Sequence, residues 1–405
     1  MAKYFYVARD FSGKRREGVI EADSNMTVIL NLRKQNLIPI EINFIGEKGL
    51  SPIVSQKKQT RGRVSFSELA IFSRQFTTML DAGVPIIDII GDLSEQTTNK
   101  YFSYVLSKIK IEIQEGSNFS NALTKFPNVF SPLYVSLVRT GEESGNLTKI
   151  MEELAKYLED QIALLRKVRQ ALSYPSVIFV FFLGVISFVF LFLIPKFQSI
   201  FTSLGTKLPP LTMLIFNISH AFFKFLPVII LGIILLIIAF LIFRKTTTGR
   251  QIIDTIKLRF PFFGKLITKI TLSRFSRSLS TLLSGGVSIV VALEVASSGE
   301  NVIVEKIIKN IKKEIISGKT LGDEMKKYKI FPPLLVRMIK IGEETGRLED
   351  MLNRTAKFFS DEVDATINIM TSIIEPVLII GLGVVVGIVV LAIYLPIFQI
   401  AGAVK

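Results

Sequence analysis

The chain has 405 residues, 49% hydrophobic and 20% charged, with 49 Lys and Arg against 34 Asp and Glu for a net charge of +15. It has no cysteine, which excludes disulfides and thiolate metal sites. A mean hydropathy of +0.46 is high for a soluble chain this charged, so apolar and charged residues must occupy separate stretches.

Residues 1–45 read as a small α/β module. Tyr4–Ala8 is a strand, Asp10–Arg15 a turn around Gly13, and Gly18–Ala22 the partner strand. Ser24 is placed to N-cap a helix running through Lys34, and Ile38–Ile45 returns as strand. Lys3, Arg9, Lys14, Arg15 and Arg16 precede any apolar run, so the N-terminus is expected to stay in the cytoplasm. Residues 46–64, rich in Gly, Ser, Gln and basic residues, form a linker.

From Phe66 the period turns helical. Leu69, Phe72, Phe76, Met79 and Leu80 fall on one stripe, and Gly83-Val84-Pro85 closes it. Further helices are predicted over about 86–97, 100–115, 118–125 and 132–140, then from 146 toward the apolar stretch. Short loops between them imply an antiparallel bundle over 65–175.

Three uncharged stretches follow: Ser176–Ile194, Leu226–Phe243 and Val377–Leu395. Each reaches about 27–29 Å as a helix, enough to cross a bilayer. Arg166, Lys167 and Arg169 before the first, and Arg244, Lys245, Arg250, Lys257 and Arg259 after the second, mark both flanks as internal. The expected layout is therefore a span at 176–194, an outer loop at 195–225, a span at 226–243, a second bundle at 244–376, a span at 377–395 and an outer tail at 396–405. Within the loop, Leu211, Leu214, Ile215, Ile218, Phe222 and Phe223 make an amphipathic stretch expected to lie on the outer surface.

The bundle and its span are written twice. Phe72-Ser73-Arg74, Thr78, Leu80, Gly83-Val84 and Ile86 return 203 positions later as Phe275-Ser276-Arg277, Thr281, Leu283, Gly286-Val287 and Ile289. At a spacing of 201, Gly141-Glu142-Glu143-Ser144-Gly145 returns as Gly342-Glu343-Glu344-Thr345-Gly346, and Pro175, Pro195 and Phe197 return as Pro376, Pro396 and Phe398. In both copies the last helix is expected to enter the membrane with an interruption near Pro175 or Pro376.

The repeated corners carry the candidate site. Paired carboxylates suit acid–base work, but no His, Cys or activated nucleophile accompanies Glu142-Glu143 or Glu343-Glu344. They read as tight corners bracketed by Gly141 and Gly145, or Gly342 and Gly346, with Glu143 near the N-terminus of the long helix. The alternatives are docking surfaces for a basic partner or seats for a hard cation. Ser317-Gly318-Lys319-Thr320 ends like a P-loop, but Lys313 stands where the upstream glycine belongs, and the matched Glu115-Gly116-Ser117-Asn118 is a helix-to-helix turn. His220, the lone histidine, reads as an interfacial side chain. Gly383-x-x-x-Gly387, with Gly381, permits close helix pairing in the third span; the matched Phe182 and Ile186 do not.

No charged residue or histidine interrupts the three spans, which argues against a transporter. No convergent polar site supports an enzyme, and no cofactor is expected. Basic flanks beside an anionic leaflet account for much of the net charge, so no nucleic-acid partner is expected either.

In these residues the chain resembles the type II secretion F family, the inner-membrane platform proteins of type IV pilus assembly and type II secretion. The carriers are Phe72-Ser73-Arg74-Gln75-Phe76, Asp81-Ala82-Gly83-Val84-Pro85, both Gly-Glu-Glu corners, the tandem copies and the three spans. Departures are Ser288 for the second copy's proline and Ser278 for Gln75. The resemblance implies a non-catalytic, mainly α polytopic protein whose cytoplasmic bundles dock on a hexameric ATPase. Its membrane helices would receive pilin or pseudopilin beside inner-membrane alignment proteins, as a homodimer or higher oligomer. Pilus assembly is the preferred branch, with the secretion platform as the alternative.

Overall fold

The computed structural model describes residues 2–10, 15–22, 25–35, 37–45, 62–203, 209–261 and 263–403. Two units result, Met1–Gly62 and Arg63–Lys405.

In the first unit, β1 (Ala2–Asp10), β2 (Arg15–Ala22), α1 (Asn25–Lys34) and β3 (Leu37–Ile45) form an antiparallel sheet of order β2-β1-β3 with one helix. Register slips between Val7 and Ala8, opposite Pro39, whose missing N–H interrupts the ladder. Ala22, Val28 and Leu32 are buried against Tyr4, Tyr6, Ile20 and Leu37. The predicted turn around Gly13, the Ser24 cap and most of the linker lie outside the described residues.

In the second unit the first copy comprises α2 (Phe66–Asp81), α3 (Ile86–Gln96), α4 (Lys100–Gln114), α5 (Phe119–Thr124), α6 (Pro132–Ser144) and α7 (Leu147–Phe188). A π-helical turn, Val189–Leu193, carries α7 into α8 (Ile194–Ser203). Then come α9 (Pro210–Phe243) and α10 (Thr247–Arg259). The second copy comprises α11 (Phe263–Ser284), α12 (Ile289–Ser297), α13 (Val302–Ile316), α14 (Leu321–Lys326), α15 (Pro333–Thr345) and α16 (Leu348–Ala403). Caps repeat with the helices: Asn99 accepts from the Tyr101 and Phe102 amides, and Asn301 from the Ile303 amide.

One hydrophobic core runs through both bundles, from Phe72, Phe76 and Phe102 in the first to Phe275, Leu279 and Ile308 in the second. The copies meet asymmetrically. On α11, Ser278 hydrogen-bonds the Tyr157 hydroxyl of α7 at 3.1 Å, and Arg277 pairs with Asp160 at 3.4 Å. A Cβ on Gly285 would stand 2.5 Å from Leu137 of the first copy. The matched residues of α2 do something else: Arg74 pairs within its own copy with Glu159, and Gln75 and Ala82 are exposed.

A second asymmetry lies in the two cores. Ser73 shares a 3.0 Å hydrogen bond with Tyr134, whose phenol burial pushes up from its ordinary pKa. In the second copy Tyr134 is replaced by Leu335, and the buried Ser276 hydroxyl has no hydrogen-bond partner among the described residues. Ser276→Ala is therefore expected to be neutral or to stabilise by about 1 kcal/mol, while Ser73→Ala costs about 1–2 kcal/mol by leaving the buried tyrosine only the weak acceptor Met151 Sδ, at 3.9 Å. Thermal unfolding of the two variants side by side checks the sign difference.

Two helices are long and apolar enough to cross a membrane, Leu147–Ser203 and Leu348–Pro396; a third span results if Pro210–Phe222 and Pro227–Phe243, bent by 55°, count as one. The expected interruptions at Pro175 and Pro376 do not occur, since both prolines sit inside continuous helix. A proline removes a single N–H, which neighbouring turns and side chains can offset. The expected outer loop is also mostly helical, as α8 runs to Ser203 and α9 starts at Pro210.

The first half of α9 does not merely lie on an outer surface. Thr212, Ile215, Phe216 and Ser219 are buried against Ile194, Phe201 and Ala392, with Leu211, Leu214 and Ile218 on the exposed side. Pro396 has no N–H for the carbonyl four residues before it, Ala392, and Thr212 donates its hydroxyl there at 2.8 Å. In the π-turn Ile194 bonds back to Val189, so Phe190 would need an N–H from residue 195, which is proline. Ser219 donates to that Phe190 carbonyl at 2.6 Å. Two hydroxyls one heptad apart thus satisfy the carbonyls freed by matched prolines in the two copies. Thr212→Val and Ser219→Ala should each cost about 1–2 kcal/mol, read as lowered melting temperatures of the detergent-solubilised chain; unchanged melting would mean the carbonyls find other donors.

Candidate functional site

The Gly-Glu-Glu corners close each bundle. α6 does not stop at Gly141; it continues to Ser144, and Gly145 adopts φ +69° just beyond it. Asn146 donates to the Gly141 carbonyl at 3.0 Å and Gly145 to the Glu142 carbonyl, a Schellman stop. In the second copy Gly346 takes φ +67°. Only the second glycine of each corner reverses the chain. The first, Gly141 or Gly342, is helical, and the next helix crosses over it: added Cβ atoms would stand 3.2 Å and 2.8 Å from the Leu147 and Leu348 Cα atoms.

This geometry corrects the expected role of Glu143. It belongs to the last turn of α6, not to the N-terminus of α7, because the helix runs through Gly141. The carboxylate that does meet a helix N-terminus is Glu142. It accepts from the Phe119 and Ser120 amides, opening α5, at 2.7 and 2.9 Å. Glu343 does the same for α14, accepting from the Leu321 and Gly322 amides at 2.6 and 2.9 Å. A carboxylate spanning two free N–H groups at a positive helix end is a strong internal clamp. A second link accompanies it: Arg139 reaches Asn121 at 3.4 Å, and the matched Lys340 pairs with Asp323. Hydrogen bonding to Asp323 holds the Lys340 ammonium above its ordinary pKa, with smaller contributions from Glu344 and Glu343.

Glu142 and Glu343 are therefore half-buried and engaged, whereas Glu143 and Glu344 are exposed. Glu143 borders a hollow of about 610 Å³ with Asn118, Asn121, Arg139 and Glu142. It also edges a groove of about 630 Å³ between the copies, floored by Phe130, Val287 and Val291. Among the described residues, no three carboxylates or histidines gather in a set suited to a metal ion.

The other sequence candidates fall elsewhere. Ser317–Thr320 forms the turn from α13 to α14, with Gly318 at φ +92°, matching Gly116 at +94° in the first copy. His220 is exposed on α9. Gly381, Gly383 and Gly387 have no neighbouring atom within 4 Å of an added Cβ, so this face of α16 is open. The bundle-to-bundle contacts at Tyr157, Ser278 and Gly285 went unpredicted. Their signal was present in the mismatches between copies, Gln75 against Ser278 and Ala82 against Gly285.

The model of type II secretion system protein F matches residues 72–195 and again 275–396, and that of its N-terminal domain matches residues 1–43. The two main matches cover most of each bundle and of the helix that leaves it. The chain belongs to the type II secretion system protein F family. Among relatives of this family, a type IV pilus assembly protein PilC of Thermus thermophilus is 40% identical over 405 residues, with 99% of each chain covered. A protein of the same name from Myxococcus xanthus is 36% identical over 414 residues, covering 100% of this chain and 96% of the relative. A type II secretion system protein F of Pseudomonas aeruginosa is 30% identical over 404 residues, with 99% of each covered. Family membership accounts for the duplicated bundle and for each copy's exit into an apolar helix.

Proposed function

We propose that this chain is the inner-membrane platform protein of a type IV pilus assembly machine, coupling a cytoplasmic hexameric ATPase to insertion of pilin subunits into the growing fibre. The observation that carries this reading is full-length likeness at 40% identity to a pilus assembly protein, against 30% for the secretion protein. The secretion platform, assembling pseudopilins, is the second reading and rests on that latter relative. The role is that of a scaffold without catalysis.

In this reading residues 1–45 act as a separate α/β module ahead of the linker, and both bundles lie in the cytoplasm with the N-terminus. The last turns of α16, beyond residue 395, lie on the far side. The mechanism is mechanical. A helix of 57 residues leaves the first bundle and one of 56 leaves the second, each about 85 Å long at 1.5 Å per residue. Because neither breaks at its proline, displacement of a bundle is passed to the membrane half that meets pilin. The bilayer is a partner at the bundle side as well: α10 exposes Ile252 and Ile256, followed by exposed Phe260, beside Arg250, Lys257 and Arg259, a pattern suited to anionic headgroups. The open Gly383–Gly387 face is offered to another membrane helix, from an alignment protein, pilin or a second copy.

Docking on the ATPase falls to Glu143 and Glu344, since Glu142 and Glu343 are engaged inside the bundles. Glu143→Lys with Glu344→Lys is expected to weaken ATPase binding at least tenfold, about 1.4 kcal/mol, without changing the melting temperature. Pull-down titration of purified ATPase on the reconstituted chain reads this; equal affinity for wild type and variant would remove the corners from the interface. The function itself is tested by counting surface fibres by electron microscopy in a deletion strain that still makes pilin. Fibres absent, and restored by complementation, support the pilus reading. Normal fibres with lost protein export would move it to secretion.

A further inference from the structure

The contact between the two copies is heterologous, and a tandem repeat joined that way leaves one unused face at each end. The face of α11 that carries Ser278, Arg277 and Gly285 lies on the α6–α7 face that carries Tyr157, Asp160, Leu137 and Ile150. Were the copies related by a two-fold axis, the matched pairs would meet as well: Gln75 with Phe358, and Ala82 with Met338 and Met351. They do not. Gln75 and Ala82 are exposed, Ile71 beside them is 57% exposed, and Phe358 is 43% exposed with Asp361 open next to it. Leu137 and Ile150 are buried under the second copy, whereas their counterparts Met338 and Met351 remain partly open.

We propose that these two open faces bind each other between chains: the α2 face of one chain seats on the α15–α16 face of a second copy, repeating the contact already made within each chain. Three observations support a second copy as the occupant. The free faces descend from the same duplicated pair that packs inside the chain. Their chemistry remains complementary after divergence, with Ile71 and Ala82 opposite Phe358, Met338 and Met351, and Arg74 on the side of Asp361. The geometry also permits repetition within one plane. Tyr174 and Glu375, matched residues just before the matched prolines, hydrogen-bond at 3.2 Å, and Lys167 of α7 pairs with Asp364 of α16 at 2.6 Å. The two long helices thus stand at one height, and both run from bundle toward apolar half. Repeating that relation carries little shift along the helix axes, so the association proceeds around the membrane plane and closes a ring instead of climbing as a filament.

The chain's lack of cysteine makes the test direct. Two single variants of the full chain, Gln75→Cys and Phe358→Cys, are co-expressed with different tags in membranes and treated with a short bis-thiosulfonate cross-linker. The double variant Tyr157→Cys/Ser278→Cys serves as the intrachain control. A reducible dimer carrying both tags, with little dimer from either single variant alone, is the expected result. Dimer from Phe358→Cys alone would indicate a two-fold, self-facing contact and overturn the proposal. Monomer throughout, with the control cross-linked, would overturn it equally. As a check on the contact itself, Ile71→Asp alters an exposed side chain and is expected to abolish the mixed dimer while leaving the melting temperature unchanged.

Discussion

Glu343→Ala is expected to lower the stability of the second bundle by about 3 kcal/mol, and Glu142→Ala that of the first by a similar amount. Each carboxylate accepts two backbone amides of a helix only six residues long, α14 or α5. So short a helix cannot hold itself by propagation and depends on what meets its ends. Removing the acceptor strands two partly buried N–H groups and the positive end of the helix dipole, and a charged acceptor contributes roughly 1.5–3 kcal/mol per bond. The isosteric Glu343→Gln keeps one carbonyl oxygen and should lose about half as much. The measurement is a urea melt of the detergent-solubilised chain with amide exchange read over residues 321–326. Fast exchange confined to that helix in Glu343→Ala, and intermediate exchange in Glu343→Gln, is the expected order. Equal protection in all three proteins would mean that Leu321 and Met325, buried in the core, hold α14 unaided.

The duplication, the helix positions and the helices' passage toward the membrane were legible because each rests on local pattern. Leu69, Phe72 and Phe76 announce their stripe by spacing, and Gly145 announces the chain reversal because few other residues tolerate φ +69°. The corner's inner working was not legible. Glu142 and Glu143 are the same residue type side by side, and which one turns inward depends on where α5 ends up, more than 20 residues earlier in the chain. The role of Gly141 was hidden for a related reason, since a glycine that bends a chain and one that lets another helix cross look identical in sequence. Proline misled in the other direction. Pro175 and Pro376 read as breaks, yet α7 and α16 run through them, and at Pro195 and Pro396 the freed carbonyls are met by Ser219 and Thr212 from a distant helix. A hydroxyl pair one heptad apart, beside two matched prolines, was the available clue. The copy interface shows the general limit: matches between repeats report the shared bundle, while mismatches such as Gln75 against Ser278 report what only one copy packs against.

Gly342→Ala is expected to cost about 2 kcal/mol and Gly342→Val to prevent the second bundle from folding, whereas Gly141→Ala should cost less than about 1 kcal/mol. Both glycines are helical, so alanine brings a gain of roughly 0.5–1 kcal/mol in helix propensity at each. Sterics decide the sign. At Gly342 the new Cβ would stand 2.8 Å from the Cα of Leu348, a backbone atom that moves only if α16 shifts against α15. At Gly141 the nearest atoms are the Ile150 side chain at 3.1 Å and the Leu147 Cα at 3.2 Å, a clash relieved by a few tenths of an ångström. The difference matters beyond stability, because α16 is the helix that links bundle to membrane. In the coupling proposed above, displacing its start would tilt that helix even where the bundle survives. The expected pattern is a lower melting temperature for Gly342→Ala, near wild type for Gly141→Ala, and fibre counts that fall with the first and not the second. Equal melting temperatures for the two alanine variants would show that α16 yields as easily as α7, and would remove the crossing at Leu348 as the fixed point of the second lever.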